Sequence, residues 1–147
     1  MSSAELVKRW LEAFNRRDED AMIALSHPEI EFVPITAAME GRVYCSPEET
    51  RDFLRSIELD WEVFEAQPQE YYDLGDRGLA LGTWHARGRG SGLELRSQPG
   101  AWLATIRDGL IYRWRTYTER PDALEALGVG ERELAEQRVY LLGATDA

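Results

Sequence analysis

The stretch that most restricts how this chain folds runs from Trp61 to Thr118. There, apolar segments of strand character are separated by the Gly-containing turns "LGDRG" (74–78), "RGSG" (89–92) and "RDG" (107–109). Short turns of this kind reverse the chain at once, so four strands in series form an antiparallel meander. Asp108-Gly109 is expected to make a tight turn with Gly109 at positive φ. In the last strand, period-two alternation puts Ile111, Arg113, Arg115 and Tyr117 on one face and Tyr112, Trp114, Thr116 and Thr118 on the other.

The segments before this meander read mostly as helices. Ser2-Ser3-Ala4-Glu5 fits a capping box, followed by Leu6, Val7, Trp10, Leu11 and Phe14 at helical spacing. Asp18 is placed to cap a short helix from Glu19 to Leu25, which "HP" at 27–28 ends. "EIEFVPI" (29–35) reads as a strand. "SPEE" (46–49) then opens a helix over about 47–59, with Phe53, Leu54 and Ile57 as its apolar face. After the meander, Pro121 opens a helix that Gly128 closes. Beyond it, Leu134, Arg138, Leu141 and Leu142 have helical spacing, so the tail from 129 to 147 is a docked helix or a frayed end. This order of elements makes an α+β fold, with helices packed on one face of a curved sheet.

Composition narrows the function classes. With 44% hydrophobic and 10% aromatic residues, 147 residues close a single core. The net charge of -10 is uneven: residues 1–75 hold 17 acids and 7 bases, and residues 76–147 hold 10 of each. An acidic chain of this kind argues against nucleic acid or an anionic membrane as partner. Cys45 is the only cysteine, which excludes an internal disulfide and a thiolate metal cluster and suits a reducing compartment. No apolar run reaches bilayer length and no leader pattern opens the chain, so a cytoplasmic protein is expected. Phosphate loops, nucleophile elbows and dinucleotide fingerprints are absent from the sequence.

Several segments together resemble the SnoaL-like branch of the nuclear transport factor two-like superfamily, which also holds ketosteroid isomerases, polyketide cyclases and limonene epoxide hydrolases. They are "VKRWLEAFNRRDEDAMIAL" (7–25), "HPEIEFVP" (27–34), "WEVFEAQPQEYYDLGDRGLAL" (61–81), "ARGRGSGLEL" (86–95), "IRDGLIYRWRTY" (106–117) and "ALEALG" (123–128). The resemblance covers about residues 3–128 and implies a cone: a curved, mainly antiparallel sheet wrapped around the N-terminal helices, with an apolar pocket on the concave side. It also implies a homodimer through the convex face, where Arg113, Arg115 and Tyr117 would lie. A SnoaL-like domain over 1–128 with a separate tail is expected.

The same resemblance argues against the superfamily's known acid–base chemistry. The epoxide hydrolase strand Trp-Arg-Asp-Tyr-Phe-Asp corresponds to Trp114-Arg115-Thr116-Tyr117-Thr118-Glu119, so Thr116 stands in place of a pocket carboxylate. A hydroxyl cannot act as a base there without a neighbour to activate it. The ketosteroid isomerase helix motif corresponds to Arg9-Trp10-Leu11-Glu12-Ala13-Phe14-Asn15, placing Trp10 where a donating Tyr would be. The isomerase base falls on Val33 or Pro34, and its protonated Asp near Trp102. Neither position handles a proton.

Registering the strands by these matches sends Trp84 and Ala86, Trp102, Ala104 and Ile106, and Trp114 and Thr116 inward, to meet Trp10, Phe14 and Phe32. These aromatics either fill the cone as core or line a pocket for a flat apolar ligand. The candidate ligand-binding residues are therefore Trp10, Phe14, Phe32, Trp84, Trp102, Trp114 and Thr116; the catalytic residues are unknown, and no cofactor or metal is expected. His85 is expected on the convex face beside Arg87, Arg113 and Arg115, and His27 at a helix-to-strand corner. Glu119 is the best remaining acid, either at the pocket rim or as the cap of the helix at Pro121. Pro99-Gly100 is expected to insert a bulge near Glu94 and Arg96, and residues 37–45 to form a rim. Three readings follow: an apolar binding protein, an isomerase-, cyclase- or hydrolase-type enzyme, or a scaffold whose cone is filled. A cavity well below about 300 Å³ would favour the last.

Overall fold

The computed structural model describes residues 1–37 and 42–141. Helix α1 (Ser3–Arg16) opens with the expected capping box, the Ser2 hydroxyl accepting from the Glu5 N–H at 3.1 Å. It closes on Arg17, which adopts a left-handed conformation (φ 57°) and donates its guanidinium to the carbonyls of Phe14 and Phe64. Helix α2 (Glu19–Ala24) is capped by Asp18, and α3 (Pro47–Asp60) by Ser46. All three helices lie where their capping residues placed them, because each cap satisfies N–H groups that the first turn leaves free.

Strand β1 (Ser26–Val33) starts earlier and stops earlier than expected. It is followed after α3 by the meander β2 (Trp61–Asp73), β3 (Arg77–Gly88), β4 (Glu94–Arg107) and β5 (Leu110–Tyr117). The Asp108-Gly109 turn has both residues at positive φ, 55° and 74°. The chain then forms α4 (Arg120–Leu127), α5 (Glu131–Glu136) and the short strand β6 (Arg138–Val139). The sheet order is β1-β5-β4-β3-β2-β6, with β1 parallel to β5 and the other neighbours antiparallel. The sheet is curved and open, and with the helices it makes the α+β cone.

Two cores lie on its two faces. The concave face packs on α1 and α3 through Leu6, Val7, Trp10, Phe53, Ile57, Ala80, Trp102 and Trp114, among others. On the convex face, Leu79, Leu81, Ala101 and Leu103 pack under Ala123, Leu124 and Leu127 of α4 and Leu134 of α5. The C-terminal helices thus cover the middle of the surface expected to pair two subunits. The outward side of β5 and β1 stays outside that cover.

Close approach fixes α1 on the sheet. A Cβ at Gly78 would lie 2.5 Å from the Ser3 carbonyl oxygen, so only glycine lets the helix start sit on β3 there. The Ser3 hydroxyl donates to the Arg77 carbonyl (2.9 Å) and to Asp73 (3.1 Å). At the other end of α1, the Asn15 amide donates to the Ala66 carbonyl and accepts from the Ala66 N–H, both at 2.9 Å. Residue 66 lies on a part of β2 that β6 does not reach, and a side chain there completes the ladder.

Several expectations are corrected by bulges. Ile111 is fully buried in the concave core, not outward with Arg113. Thr105 pairs with Arg113 but Ile106 with Ile111, so Tyr112 is the extra residue, and the strand's facing changes across it. The bulge in β4 is at Arg96-Ser97 rather than Pro99-Gly100: Gln98 pairs with Trp84, Leu95 with Ala86, and Ser97 has φ 50°. Pro99 and Gly100 are in register with Thr83 and Gly82. The helical spacing of the tail ends at Glu136, and Arg138 is in a strand paired with Tyr72. Leu142 and residues 38–41 of the expected rim lie outside the described residues.

Candidate functional site

The register of the sheet brings the inward residues together in rows. Phe32 lies beside Trp114 and Trp114 beside Ala104, while Thr116 lies beside Trp102 and Trp102 beside Ala80. Helix α1 lays Trp10 over this floor, stacked on Trp114 with ring centroids 5.1 Å apart and planes at 29°. Phe32 meets Trp10 at 5.5 Å, and Phe14 meets Phe64 edge-on at 6.0 Å. At the outer end, Phe64 and Trp84 stack almost parallel at 5.5 Å.

Trp10, Phe14, Phe32, Trp84, Trp102, Trp114 and Thr116 all line one cavity. Pro34, Ile35, Phe53 and Phe64 join them there. Phe53 was legible as part of an apolar helix face, but nothing in the spacing said that the face ends at this cavity. The polar handles are few. The Trp114 indole N–H donates to the Thr116 hydroxyl (3.2 Å), and that of Trp84 to the Pro99 carbonyl (3.1 Å). The Trp10 indole N–H has no hydrogen-bond partner among the described residues. Gly100 is the notch into which the outer rings fold: a Cβ there would lie 3.0 Å from Trp102 and 3.1 Å from Trp84.

The free space among these walls is about 30 Å³. That is room for about one water molecule or methyl group, against about 300 Å³ or more for a typical ligand site. The side chains fill the cone.

Among the described residues, no carboxylate, histidine, lysine or arginine lines this cavity. Glu119 occupies the N-cap position of α4, which begins at Arg120, but its exposed side chain makes no capping hydrogen bond. Among the described residues, the two carboxylates with shifted pKa, Glu94 and Glu131, are both lowered, chiefly by hydrogen bonds from His85 and Arg120. Neither behaves as a general acid with a raised pKa. Burial, with a smaller contribution from the charge of Glu12, pushes the Tyr71 hydroxyl up to about 12, so it stays protonated near neutrality.

Both histidines lie away from the cavity. His85 faces outward and binds Glu94 at 2.9 Å, in a group with Arg87, Arg96 and Glu62. It is not beside Arg113 and Arg115 as expected, because β5 pairs with β4 only as far as Ala101 and Tyr117, short of the end of β3 that carries His85. His27 lies in β1, accepting from the Glu29 N–H and packing edge-on against Tyr112. Among the described residues, no group of three His, Cys, Asp or Glu is placed to hold a metal ion, and no helix is long and apolar enough to cross a membrane.

Comparison with known proteins agrees with this architecture. Residues 7–114 match the model of the SnoaL-like domain. Among solved structures, a nuclear transport factor two-like protein from Burkholderia thailandensis is similar at 21% identity and a TM-score of 0.72, over 86% of this chain and 98% of that one. TerC, co-crystallised with polyporic acid, is similar at 20% identity and TM-score 0.67, over 85% and 97%. A Catenulispora acidiphila protein of ketosteroid isomerase-like fold, in complex with trimethylamine, shares 17% identity at TM-score 0.70, over 88% and 96%. No curated protein sequence matches the chain significantly. With the family model covering most of its length and the cone built as described, the chain belongs to the SnoaL-like domain family, and its fold is that of the nuclear transport factor two-like proteins it resembles.

Proposed function

We propose that the protein binds a small, flat apolar molecule in the cone and performs no acid–base chemistry there. The observation that carries this reading is the lining: among the described residues it has aromatic and aliphatic walls, one hydroxyl and no titrating group. Apolar walls with few polar groups suit such a ligand. TerC and the Catenulispora acidiphila protein, which share the fold, were solved with small molecules. Because the free space is about 30 Å³, a ligand must displace side chains. Trp84 is the candidate to move, being half-buried at the outer end and held by one hydrogen bond and one stacking contact.

The small free volume favours a second reading, a filled cone serving as a scaffold. Titrating a panel of flat apolar compounds against tryptophan fluorescence, in the wild type and in Trp84→Ala, separates the two. Binding by the wild type supports the ligand reading. Binding by the truncated variant alone means that the cone is normally filled.

A homodimer through the convex face is also proposed, now limited to the surface that α4 and α5 leave on β5 and β1, and to the outer sides of those helices. Its support is the run of Arg113, Arg115 and Tyr117, residue types favoured at interfaces. A monomer by light scattering at micromolar concentration rules it out. A cytoplasmic location is proposed from Cys45, single and exposed; cell fractionation tests it.

A further inference from the structure

The chain carries 17 bases against 27 acids, and many of its arginines are matched within it. Arg51 meets Glu19 at 2.7 Å, Arg120 meets Glu131 at 2.8 Å and Arg87 meets Glu62 at 3.0 Å. On the outward side of the sheet, next to α4, three are not. Arg77, Arg113 and Arg115 line one groove of about 200 Å³, and none has an ion pair or a side-chain hydrogen bond among the described residues.

Strand register explains the gathering. Arg113 is cross-strand from Thr105, and Thr105 from Arg77, so one row across the sheet reads Arg113, Thr105, Arg77. Arg115 lies two residues along the same face. Positions two strands apart are separated by roughly 10 Å, and positions two along a strand by about 7 Å, so one small molecule reaches all three. Leu103, Val33 and Ala126 supply apolar walls, and Tyr117 a ring whose centroid is 5.7 Å from the Arg115 guanidinium. One acid, Glu31, lines the same groove opposite Arg113 in register, and it too makes no ion pair there.

We propose that this groove binds an oxyanion, a carboxylate or phosphate carried on a small apolar body. Three like charges around an apolar-walled groove repel one another, and an anion between them removes that cost. The planar guanidinium fork matches carboxylate and phosphate oxygens two at a time, which an ammonium group does not. Thr105 and Tyr117 add hydroxyl groups at the walls. The site lies across the sheet from the cone and does not depend on the cone holding a ligand, but it shares Arg113, Arg115 and Tyr117 with the proposed dimer surface and requires that the dimer leave the groove open.

Calorimetric titration of the full chain at low salt with inorganic phosphate, phenyl phosphate and benzoate tests this. One molecule is expected to bind per chain, phenyl phosphate more tightly than inorganic phosphate because of the apolar walls. Arg113→Gln and Arg115→Gln, both at exposed positions and so expected to leave folding intact, should each weaken binding roughly tenfold. Glu31→Gln should strengthen it severalfold, and Trp84→Ala should leave it unchanged. Phenyl phosphate exceeding benzoate marks the ligand as a phosphate ester, and the reverse order as a carboxylate. A wild type that binds none of the three, including a dimer in which the groove is closed, overturns the proposal. So does binding that the arginine variants leave intact.

Discussion

Trp10 of α1 stacks on Trp114 of β5, ring centroids 5.1 Å apart, and each is at most 2% exposed. This pair joins the first element of the chain to the last long strand at the centre of the concave core. Trp114→Ala removes the stack and leaves a hole that its neighbours cannot close. The expected loss is about 3–5 kcal/mol, read from the urea midpoint. Arg113→Ala, one residue away on the other face, should shift it by less than about 0.5 kcal/mol.

Asn15→Leu should cost about 2 kcal/mol or more. The substitution strands both the N–H and the carbonyl of Ala66 on a stretch of β2 that has no strand beyond it. Asn15→Asp should recover part of the loss, since a carboxylate still accepts from the N–H but cannot donate to the carbonyl. Equal losses in the two variants would mean that the contact is incidental.

At the Asp108-Gly109 turn the test is backbone conformation. Gly109 has φ 74° with open space around a would-be Cβ, so conformation alone opposes a side chain. Gly109→Val should destabilise by about 1–2 kcal/mol, whereas Gly109→Asn, which tolerates the left-handed region, should cost less than half of that. Melting temperatures of the two variants check the order.

Tyr71 predicts an alkaline limit. Its hydroxyl titrates near 12 in the folded chain but near 10 when unfolded, because burial disfavours the charged form. The unfolded state therefore loses its proton first. Stability should be level below about pH 10 and then fall as pH rises toward 12, by at most about 1.4 kcal/mol per pH unit from this group. Tyr71→Phe should flatten part of that fall. Tyr72, also raised by burial and by its hydrogen bond to Glu70, contributes in the same direction.

Sequence reading was most reliable where one residue's chemistry acts locally. Ser2, Asp18 and Ser46 cap helices by bonding N–H groups three residues on, and Gly109 turns the chain between its two neighbours. The resemblance implied which face looks inward, and alternation carried that facing along the strands, because between Trp102 and Ala104, or Trp114 and Thr116, no residue is added. Alternation failed at Ile111, where the extra residue Tyr112 resets the facing, and at Ser97, a non-glycine residue at positive φ that composition did not flag. The free volume of the cone was not legible either, since it depends on how Trp84 and Trp102 fold over Gly100. Nor was the cover that α4 and α5 lay on the convex face, which depends on the path of the chain after Tyr117.

The anchors at the two ends of α1 also bear on how the chain reaches its native state. Ser3 bonds to Arg77, 74 residues downstream, and Asn15 to Ala66, 51 residues downstream. During synthesis the helix emerges before the strands that receive its apolar face. Contacts this distant in sequence close slowly. A nascent chain stalled before β2 would therefore hold Trp10 and Phe14 exposed to water, and this interval is when the protein is most open to aggregation or to capture by a chaperone.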